Sequence, residues 1–367
     1  MRIDGTHYRS IWLDPSTGLL RIVDQAGLPH RFSIRTLETF ADVCRAIRDM
    51  QVRGAPLIGA TAAHGLALAL RADPSDEMLA RAIDGLLATR PTAVDLRWAM
   101  ERMRRVLLEV PSDARARRAV DEARLICDEG VETCRAIGRH GFEILAARFD
   151  LERPSGEPLR VLTHCNAGWL ATVDRGTALA PIYEVYDAGL PIHVWVDETR
   201  PRNQGASLTA FELREHGVPH SVIVDNAGGH LMQRGLVDVV IVGSDRTTAT
   251  GDVCNKIGTY LKALAAKDNE IPFYVALPTS SIDWTLDDGL AQIPIEERDG
   301  SEVREITGRG LDGEIATVEL FSEESPVSNP AFDITPARFV SGLITEHGVF
   351  DANEKSLEKL KRLAIGR

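Results

Sequence analysis

Five short segments rich in valine and isoleucine recur between residues 160 and 276, and helical segments separate them. We predict strands at 160–163, 192–196, 220–224, 237–242 and 273–276. Short apolar strands that alternate with helices are typical of a parallel sheet covered by helices on both faces. This part of the chain is therefore predicted to be an α/β domain built on a parallel sheet.

The chain before residue 150 is predicted to be mainly helical. A short β-rich start holds two predicted strands around a turn at 27–29, and four helical segments follow. These segments are 37–50, 56–70, one that starts at Pro91 and runs through Met103, and 112–148. Residues 151–160 contain two prolines, a glycine and four charged residues, which indicates a domain boundary. We predict a mainly helical domain over 1–150 and an α/β domain over 151–367.

The charge balance limits the kinds of partner. The chain has 54 acidic and 42 basic residues, a net charge of −12, so it is a poor general binder of nucleic acid or of an anionic membrane. An anionic substrate must then be held by local basic groups. The five cysteines include no CxxC pair, which favours a reducing compartment. With no visible secretory signal and no apolar run of about 18 residues, we expect a cytoplasmic protein.

Polar or small residues follow all five predicted strands. In an open parallel sheet, ligands bind beyond the carboxyl ends of the strands. The segments that would meet there are HCNAG (164–168), DETRPRNQ (197–204), DNAGGH (225–230), GSDR (243–246) and PTS (278–280). Surface solubility does not readily explain five such ends, so we predict an active site at this edge of the sheet.

One candidate phosphate site lies at 251–270, where apolar residues show helical spacing. Asp252 is the predicted N-cap, and Asn255 and Lys256 would then lie in the first turn. Free N–H groups, the positive end of the helix dipole and a lysine together favour an anion. We therefore predict that the start of this helix binds a phosphate group.

Two further candidates are arginines just before predicted helices. Arg53 is followed by Gly54 and Ala55, and Arg90 by Pro91. Glycine allows the backbone to approach a ligand closely, and arginine can bind phosphate oxygens in pairs. For either arginine alone, a solvated side chain is the simpler explanation.

Cys165 and Asp245 each follow a predicted strand, and each has two interpretations. A free cysteine is usually a small buried hydrophobic residue, but here it could be an acid–base or nucleophilic group. Asp245 could cap a helix or act with Cys165 across the sheet edge. The ten histidines show no HxH or HExxH spacing, and GxGxxG after a strand, GxxxxGK[ST] and GxSxG are absent. We therefore expect no metal and no cofactor.

Ten motifs resemble, in the same order along the chain, those of the methylthioribose-1-phosphate isomerase family. They are RGAPLIG (53–59), RPTAVDLRWA (90–99), THCNAGWLAT (163–172), DETRPRNQGA (197–206), DNAGGHLM (225–232), GSDR (243–246), GDVCNKIGTY (251–260), IPIEERD (293–299), NPAFDITP (329–336) and LITEHGV (343–349). The resemblance extends from residue 11 to the C-terminus.

The resemblance implies a small, mainly helical N-terminal domain and a Rossmann-like C-terminal domain, usually in a homodimer. It implies conversion of the aldose 5-methylthioribose 1-phosphate to the ketose 5-methylthioribulose 1-phosphate in methionine salvage. The family's catalytic residues match Cys165 and Asp245. Its substrate contacts match Arg53, Gly54, Ala55, Arg90, Gln204, Asn255 and Lys256.

This reaction needs two positioned groups, because a hydrogen on C2 must reach C1 and the ring oxygen needs a proton as the ring opens. Our hypothesis is that Asp245 is the acid at the ring oxygen and Cys165 the base at carbon. Trp169 stands where the family carries a smaller residue, and its indole would shorten the space for the sugar's 5-substituent.

Three alternatives remain open. The same chemistry could act on 5-deoxyribose 1-phosphate, alone or beside the methylthio sugar. Ribose 1,5-bisphosphate would require a second anion site, and no additional basic cluster is evident. The regulatory subunits of the exchange factor for translation initiation factor two share the fold and bind sugar phosphates without catalysis, but they need not keep Cys165 and Asp245.

Overall fold

The computed structural model describes residues 1–149 and 156–366. Its first part is mainly helical, as predicted, because one apolar helix forms the centre of a helical layer. The helices are α1 (Phe40–Arg48), α2 (Ala55–Ala72), α3 (Asp76–Leu87), α4 (Val94–Leu108) and α5 (Ser112–Ala146). Helix α2 is buried on nearly all sides, and the other four pack against it. A helix without a polar face is stable only inside a core.

Two small antiparallel sheets precede these helices. Strands β1 (Arg2–Ile3) and β2 (Thr6–His7) form one, and β3 (Ile11–Leu13), β4 (Leu20–Val23) and β5 (Ile34–Leu37) form the other. The first strand predicted in this region is confirmed as β4, but the second begins later than predicted. Asp24 accepts a hydrogen bond from the Ala26 N–H and starts a 3-10 turn, which delays the next strand to β5.

The second part contains thirteen strands among the described residues. They are β6 (Leu159–Thr163), β7 (Ile192–Asp197), β8 (His220–Ile223), β9 (Val239–Val242), β10 (Arg246–Thr248), β11 (Val253–Lys256), β12 (Phe273–Ala276), β13 (Ile282–Asp283), β14 (Glu305–Arg309), β15 (Ile315–Glu319), β16 (Phe332–Thr335), β17 (Gly342–Thr345) and β18 (Gly348–Phe350). The five strands predicted from the sequence are confirmed as β6, β7, β8, β9 and β12.

Seven helices belong to the described residues of the same part. They are α6 (Leu179–Asp187), α7 (Ala210–His216), α8 (Ala227–Gln233), α9 (Thr259–Asp268), α10 (Gly289–Gln292), α11 (Ser301–Arg304) and α12 (Glu354–Ile365). Among all the residues that the structure describes, no helix is long and apolar enough to cross a membrane.

A seven-stranded sheet in the order β18-β17-β12-β9-β6-β7-β8 forms the centre of this part, and only the β17–β18 pair is antiparallel. Its two faces bury alternate residues. Val161 packs in one core with residues of α6, whereas Leu162 packs in another with residues of α9. The mainly parallel sheet covered on both faces confirms the predicted fold class.

The strand order places a crevice next to β6. From β6 the chain first adds β7 and β8 on one side, and then β9, β12 and β17 on the other. Neighbouring strands whose connections leave in opposite directions open a ligand-binding crevice at their carboxyl ends. The predicted domain boundary at 151–160 lies partly outside the described residues, so the division at residue 150 stays a prediction.

Candidate active site

Cys165 and Asp245 lie at the crevice between β6 and β9. Cys165 comes two residues after β6, and Asp245 comes three residues after β9. Both line one narrow cavity of about 30 Å³ together with Arg53, Gly54, Ala55 and Asn255. The structure therefore brings six of the nine predicted site residues to a single cavity.

The backbone of Cys165 is held in an unusual conformation. Its φ is +64°, in the left-handed region that residues with a Cβ seldom adopt. The Cys165 N–H donates to the hydroxyl of Thr199 at 2.8 Å, and its carbonyl accepts from the hydroxyl of Thr209 at 2.7 Å. Strained residues that are fixed on both sides occur mainly at functional sites. The two threonines aim the thiol into the cavity.

Three charged side chains act on the Cys165 thiol in opposite directions. Burial raises the pKa of the thiol above its ordinary value, and the negative charge of Asp245 adds to that rise. The cations of Arg53 and Lys256 lower the pKa and so favour the thiolate. The fraction of Cys165 that can act as a base therefore depends on these two cations.

Gly54 joins the helical layer to the sheet edge. Its φ is +97°, and a Cβ there would lie 2.4 Å from the carbonyl oxygen of Ala171. Glycine is therefore required here. The backbone that it approaches is that of Ala171, whereas the sequence alone also allowed a close approach to a ligand. The adjacent Arg53 donates to the side-chain and backbone oxygens of Asn166, at 2.6 and 2.9 Å. This contact fixes the start of α2 against the loop that carries Cys165.

Arg90 lines a second cavity of about 30 Å³, which shares Ala55 and Asp245 with the first. Burial lowers the pKa of the Arg90 guanidinium, whereas the charges of Glu296 and Asp245 raise it. Most of the remaining wall is apolar, with contributions from Ile58, Cys254, Ile293, Pro294 and Phe332. The helix predicted to start at Pro91 starts at Val94, because residues 90–93 form a turn closed by the Ala93 N–H and the Arg90 carbonyl.

The prediction of a helix start at Asp252 is wrong. Asn255 and Lys256 lie on β11, which pairs with β10 and β16, and α9 begins only at Thr259. The Asp252 carboxylate accepts from the backbone N–H groups of Gly289 and Ala337 instead of capping the helix. Pairing with the distant β16 prevails over the local helical spacing.

The first turn of α9 holds a protein carboxylate in place of a phosphate. Asp333 accepts from the N–H groups of Gly258 and Tyr260, so this helix start is already occupied. Lys256 remains close enough to act on Cys165, but its ammonium group donates to the Ala331 carbonyl at 2.7 Å and lies over the Phe332 ring. Burial lowers the pKa of Lys256, and the charges of Cys165 and Asp245 oppose that effect.

Gln204 is not brought into the cavity with Cys165. It lines a separate cleft of about 640 Å³, to which Arg53 also contributes. The Oε1 atom of Gln204 is buried and has no hydrogen-bond partner among the described residues. Arg53 thus lines both this cleft and the cavity of Cys165.

One cluster has the spacing of metal ligands in the described part of the chain: His164, Asp197 and Asp225. The ammonium group of Lys262 already supplies the positive charge that a metal ion would bring to this cluster. The Lys262 ammonium lies 3.1 Å from the Asp197 carboxylate and donates to the Asp225 carbonyl. The ring nitrogens of His164 are engaged by Asp197 and the Ile257 carbonyl. The cluster is therefore explained by bonds within the protein.

The expectation that Trp169 narrows the site is wrong. Its side chain is fully buried in the core between the sheet and α6, and it lines neither cavity. The Trp169 N–H donates to the Glu212 carboxylate, which turns residues 169–171 into a short 3-10 helix directed into the core. Sequence alone shows a large side chain near the motif but not its direction.

Two buried carboxylates near the site were not singled out from the sequence. Asp95 of α4 accepts from the hydroxyls of Ser280 and Ser281, and burial raises its pKa to about 6. Glu212 of α7 lies behind the loop that carries Cys165. Each looks like an ordinary acidic residue of a surface helix, so no local signal could have identified it.

Known proteins match this chain over most of its length. The model of the initiation factor 2 subunit family matches residues 51–352. The methylthioribose-1-phosphate isomerase of Methylobacterium nodulans is 62% identical over 98% of both chains.

Two solved structures are similar over nearly the whole chain. The 5-methylthioribose 1-phosphate isomerase of Pyrococcus horikoshii is 38% identical, with a TM-score of 0.83 over 98% of this chain and 97% of that one. The translation initiation factor eIF-2B subunit delta of A. fulgidus is 37% identical, with a TM-score of 0.77 over 96% of this chain and 100% of that one. The chain therefore belongs to the initiation factor 2 subunit family, as a member of its methylthioribose-1-phosphate isomerase group.

Proposed function

We propose that this chain converts 5-methylthioribose 1-phosphate to 5-methylthioribulose 1-phosphate, as a step of methionine salvage. The relative from M. nodulans, at 62% identity, carries the name of that activity. The observation that carries the proposal is the single cavity lined by Cys165, Asp245 and the start of α2. An acid–base pair beside a phosphate-binding helix start is what an aldose–ketose isomerisation of a sugar phosphate requires.

The substrate phosphate is assigned to the start of α2. No side chain caps this 18-residue helix, so the Ala55 N–H group and the positive end of the helix dipole are available at its start, although Pro56 supplies no N–H group. The Arg53 guanidinium lies beside it, and Asn255 lines the same cavity. A phosphate on C1 held there places the anomeric carbon next to Cys165 and Asp245.

The acid–base steps balance within the substrate and this pair. Asp245 donates a proton to the ring oxygen as its bond to C1 breaks. The Cys165 thiolate removes the proton from C2, leaving an enol between C1 and C2. The C2 hydroxyl then returns a proton to Asp245, and Cys165 delivers its proton to C1 to give the ketone.

The second cavity supports a methylthio group at C5 over a second phosphate. Its walls include Ile58, Ile293 and Phe332. The two arginines in it are already engaged, Arg90 by Glu296 and Arg246 by the Thr92 carbonyl and Asp283. A ribose 1,5-bisphosphate would need a free anion site there, whereas a thioether needs only apolar contact.

A regulatory, non-catalytic function is the second candidate, because the A. fulgidus structure at 37% identity bears the name of an initiation factor subunit. Sugar phosphate binding alone does not require an acid–base pair. The strained, doubly anchored Cys165 opposite Asp245 favours catalysis.

The test compares turnover of 5-methylthioribose 1-phosphate with that of 5-deoxyribose 1-phosphate. Cys165→Ser and Asp245→Asn serve as controls. We expect preference for the methylthio sugar and loss of turnover in both variants. Better use of the deoxy sugar would assign the alternative substrate, and binding without turnover would assign the regulatory function. Light scattering of the same sample tests the expected homodimer.

A further inference from the structure

The Arg53 guanidinium is held by one neighbouring residue. Its Nη1 and Nη2 groups donate to the side-chain and backbone oxygens of Asn166, as a pair of hydrogen bonds. A pair of bonds fixes the plane of a guanidinium as well as its position. The direction in which Arg53 presents its remaining N–H groups is therefore set by Asn166.

The Asn166 side chain has only one workable orientation. Its Nδ2 group donates to Glu212 Oε1 at 2.9 Å and to Thr209 Oγ1 at 3.2 Å, and the residue is 2% exposed. If the amide turned over, its oxygen would face the Glu212 carboxylate and its NH₂ group would face Arg53. Both contacts would then be repulsive. Glu212 thus determines that an acceptor faces Arg53.

Glu212 is itself a fully buried carboxylate. Besides Asn166, it accepts from the Leu170 N–H, the Trp169 N–H and the Tyr183 hydroxyl, at 2.7 to 2.8 Å. Among the described residues, no lysine or arginine forms a salt bridge with it. Burial raises the pKa of the Glu212 carboxyl, and the donated hydrogen bonds oppose that rise.

The chain also keeps space for this carboxylate. A Cβ on residue 168 would lie 2.1 Å from Glu212 Oε2, and that residue is Gly168. Burying a charge without a salt-bridge partner is unfavourable, and apolar packing often stabilises a core better than a buried charge. A requirement for orientation explains a buried carboxylate here better than a requirement for stability.

We propose that Glu212 is a positioning residue, which acts through the Asn166 side chain to orient the Arg53 guanidinium toward the substrate phosphate. This inference rests on the proposed function, since it takes Arg53 as a phosphate contact. Asn166 connects the two residues, because it accepts a hydrogen bond from Arg53 and donates one to Glu212.

The test measures KM and kcat for 5-methylthioribose 1-phosphate in Glu212→Ala and Glu212→Gln. Alanine removes the acceptor of the Asn166 amide, whereas one orientation of the glutamine amide retains it. We expect KM to rise about tenfold for alanine and less for glutamine, with kcat changed less than about threefold. Tyr183→Phe is the matched control, because it removes a donor from Oε2 and leaves Asn166 in place. Its KM should stay near that of the wild type.

A double-mutant cycle separates orientation from general loosening. In an Arg53→Ala background, Glu212→Ala should raise KM no further, because the residue through which it acts is gone. An equal rise in both backgrounds, or an equal effect of Tyr183→Phe, would overturn the proposal. If Glu212→Ala does not fold, Asn166→Ala takes its place in the KM comparison, in the cycle and in the binding measurement, because it removes the connection between Glu212 and Arg53.

Calorimetric binding of the same sugar phosphate to Cys165→Ser keeps this inference distinct from the proposed function. Weaker binding on adding Glu212→Ala, together with loss of turnover in Cys165→Ser, supports both. Unchanged binding with lost turnover rejects only the positioning role. Retained turnover in Cys165→Ser rejects only the proposed acid–base pair.

Discussion

Gly54→Ala tests the contact between the helical layer and the edge of the sheet that carries Cys165 and Asp245. The added Cβ would lie 2.4, 2.5 and 2.6 Å from three atoms of Ala171, two of them backbone atoms that cannot rotate away. A φ of +97° adds conformational strain for any residue with a Cβ. We expect about 1–3 kcal/mol from the strain and about 1–3 kcal/mol from the overpacking, hence a loss of about 2–6 kcal/mol.

The same change should reduce activity beyond its effect on stability. Relief of the clash moves the first turn of α2 away from Ala171, and Arg53 and Ala55 move with it. A displacement of about 1 Å in a positioned group can cost about 100-fold in rate, so kcat/KM should fall by about that factor at a temperature where the variant is folded. Urea unfolding followed by circular dichroism gives the stability, and turnover of the sugar phosphate gives the activity.

Gly130→Ala is the matched control for Gly54→Ala. Gly130 lies within α5, and no atom lies within 4 Å of a Cβ built there. Alanine is favoured over glycine in a helix, so this variant should gain about 0.5–1 kcal/mol and keep its activity. A Gly54→Ala protein with the stability and kcat/KM of the wild type would refute the reasoning.

Three further results are expected. Because burial raises the pKa of Cys165 above its ordinary value of 9.0 and Arg53 lowers it, alkylation of Cys165 by iodoacetamide should speed up as pH rises into the alkaline range, and Arg53→Ala should move that rise to higher pH; an unmoved profile would contradict the effect of Arg53 on the thiol. Burial raises the pKa of Asp95 from 3.8 to about 6, so the folded protein binds this proton more tightly than the unfolded chain does. The wild type should therefore lose up to about 3 kcal/mol of stability as pH rises from 4 to 7. Asp95→Asn does not titrate, so the stability difference between the two proteins in urea unfolding should change over this interval, and a constant difference would contradict the assignment. Ile293→Ala enlarges the apolar cavity, so kcat/KM for a 5-ethylthio analogue should rise relative to the methylthio substrate, and an unchanged ratio would place the 5-substituent elsewhere.

The strands of the central sheet could be predicted because their signal is local. Each of the five is a short run of β-branched and apolar residues, and the structure begins or ends it within two residues of the prediction. Cys165 and Asp245 could be singled out for the same reason, since they follow such runs within three residues. Their common cavity depends on strand order, which composition does not reveal.

The segment at 251–258 shows where local patterns fail. Val253 and Ile257 have helical spacing, but β11 pairs with β16, which lies about 80 residues further along the chain. The backbone N–H and C=O groups that a helix would use are taken by that partner. Only a contact distant in sequence decides between the two structures.

Buried carboxylates are a second class of feature that sequence reasoning does not reach. Glu212 lies in a short helix that also carries Arg214 and Glu215, and Asp95 lies in the first turn of α4, where acidic residues are common. Their burial follows from how the loops after β6 and β12 pack on them. Such residues can be identified only in the structure, which shows the hydrogen-bond donors around each buried carboxylate oxygen.

The double role of α2 has a consequence for how this activity can be altered. Its buried length is the centre of the helical layer, and its first residues line the cavity of Cys165 and Asp245. A substitution anywhere in the surrounding helices that tilts or shifts α2 also shifts the end to which we assign the substrate phosphate. Laboratory selection for a new sugar phosphate should therefore recover changes in the packing around α2, many of them far from any atom that the substrate touches.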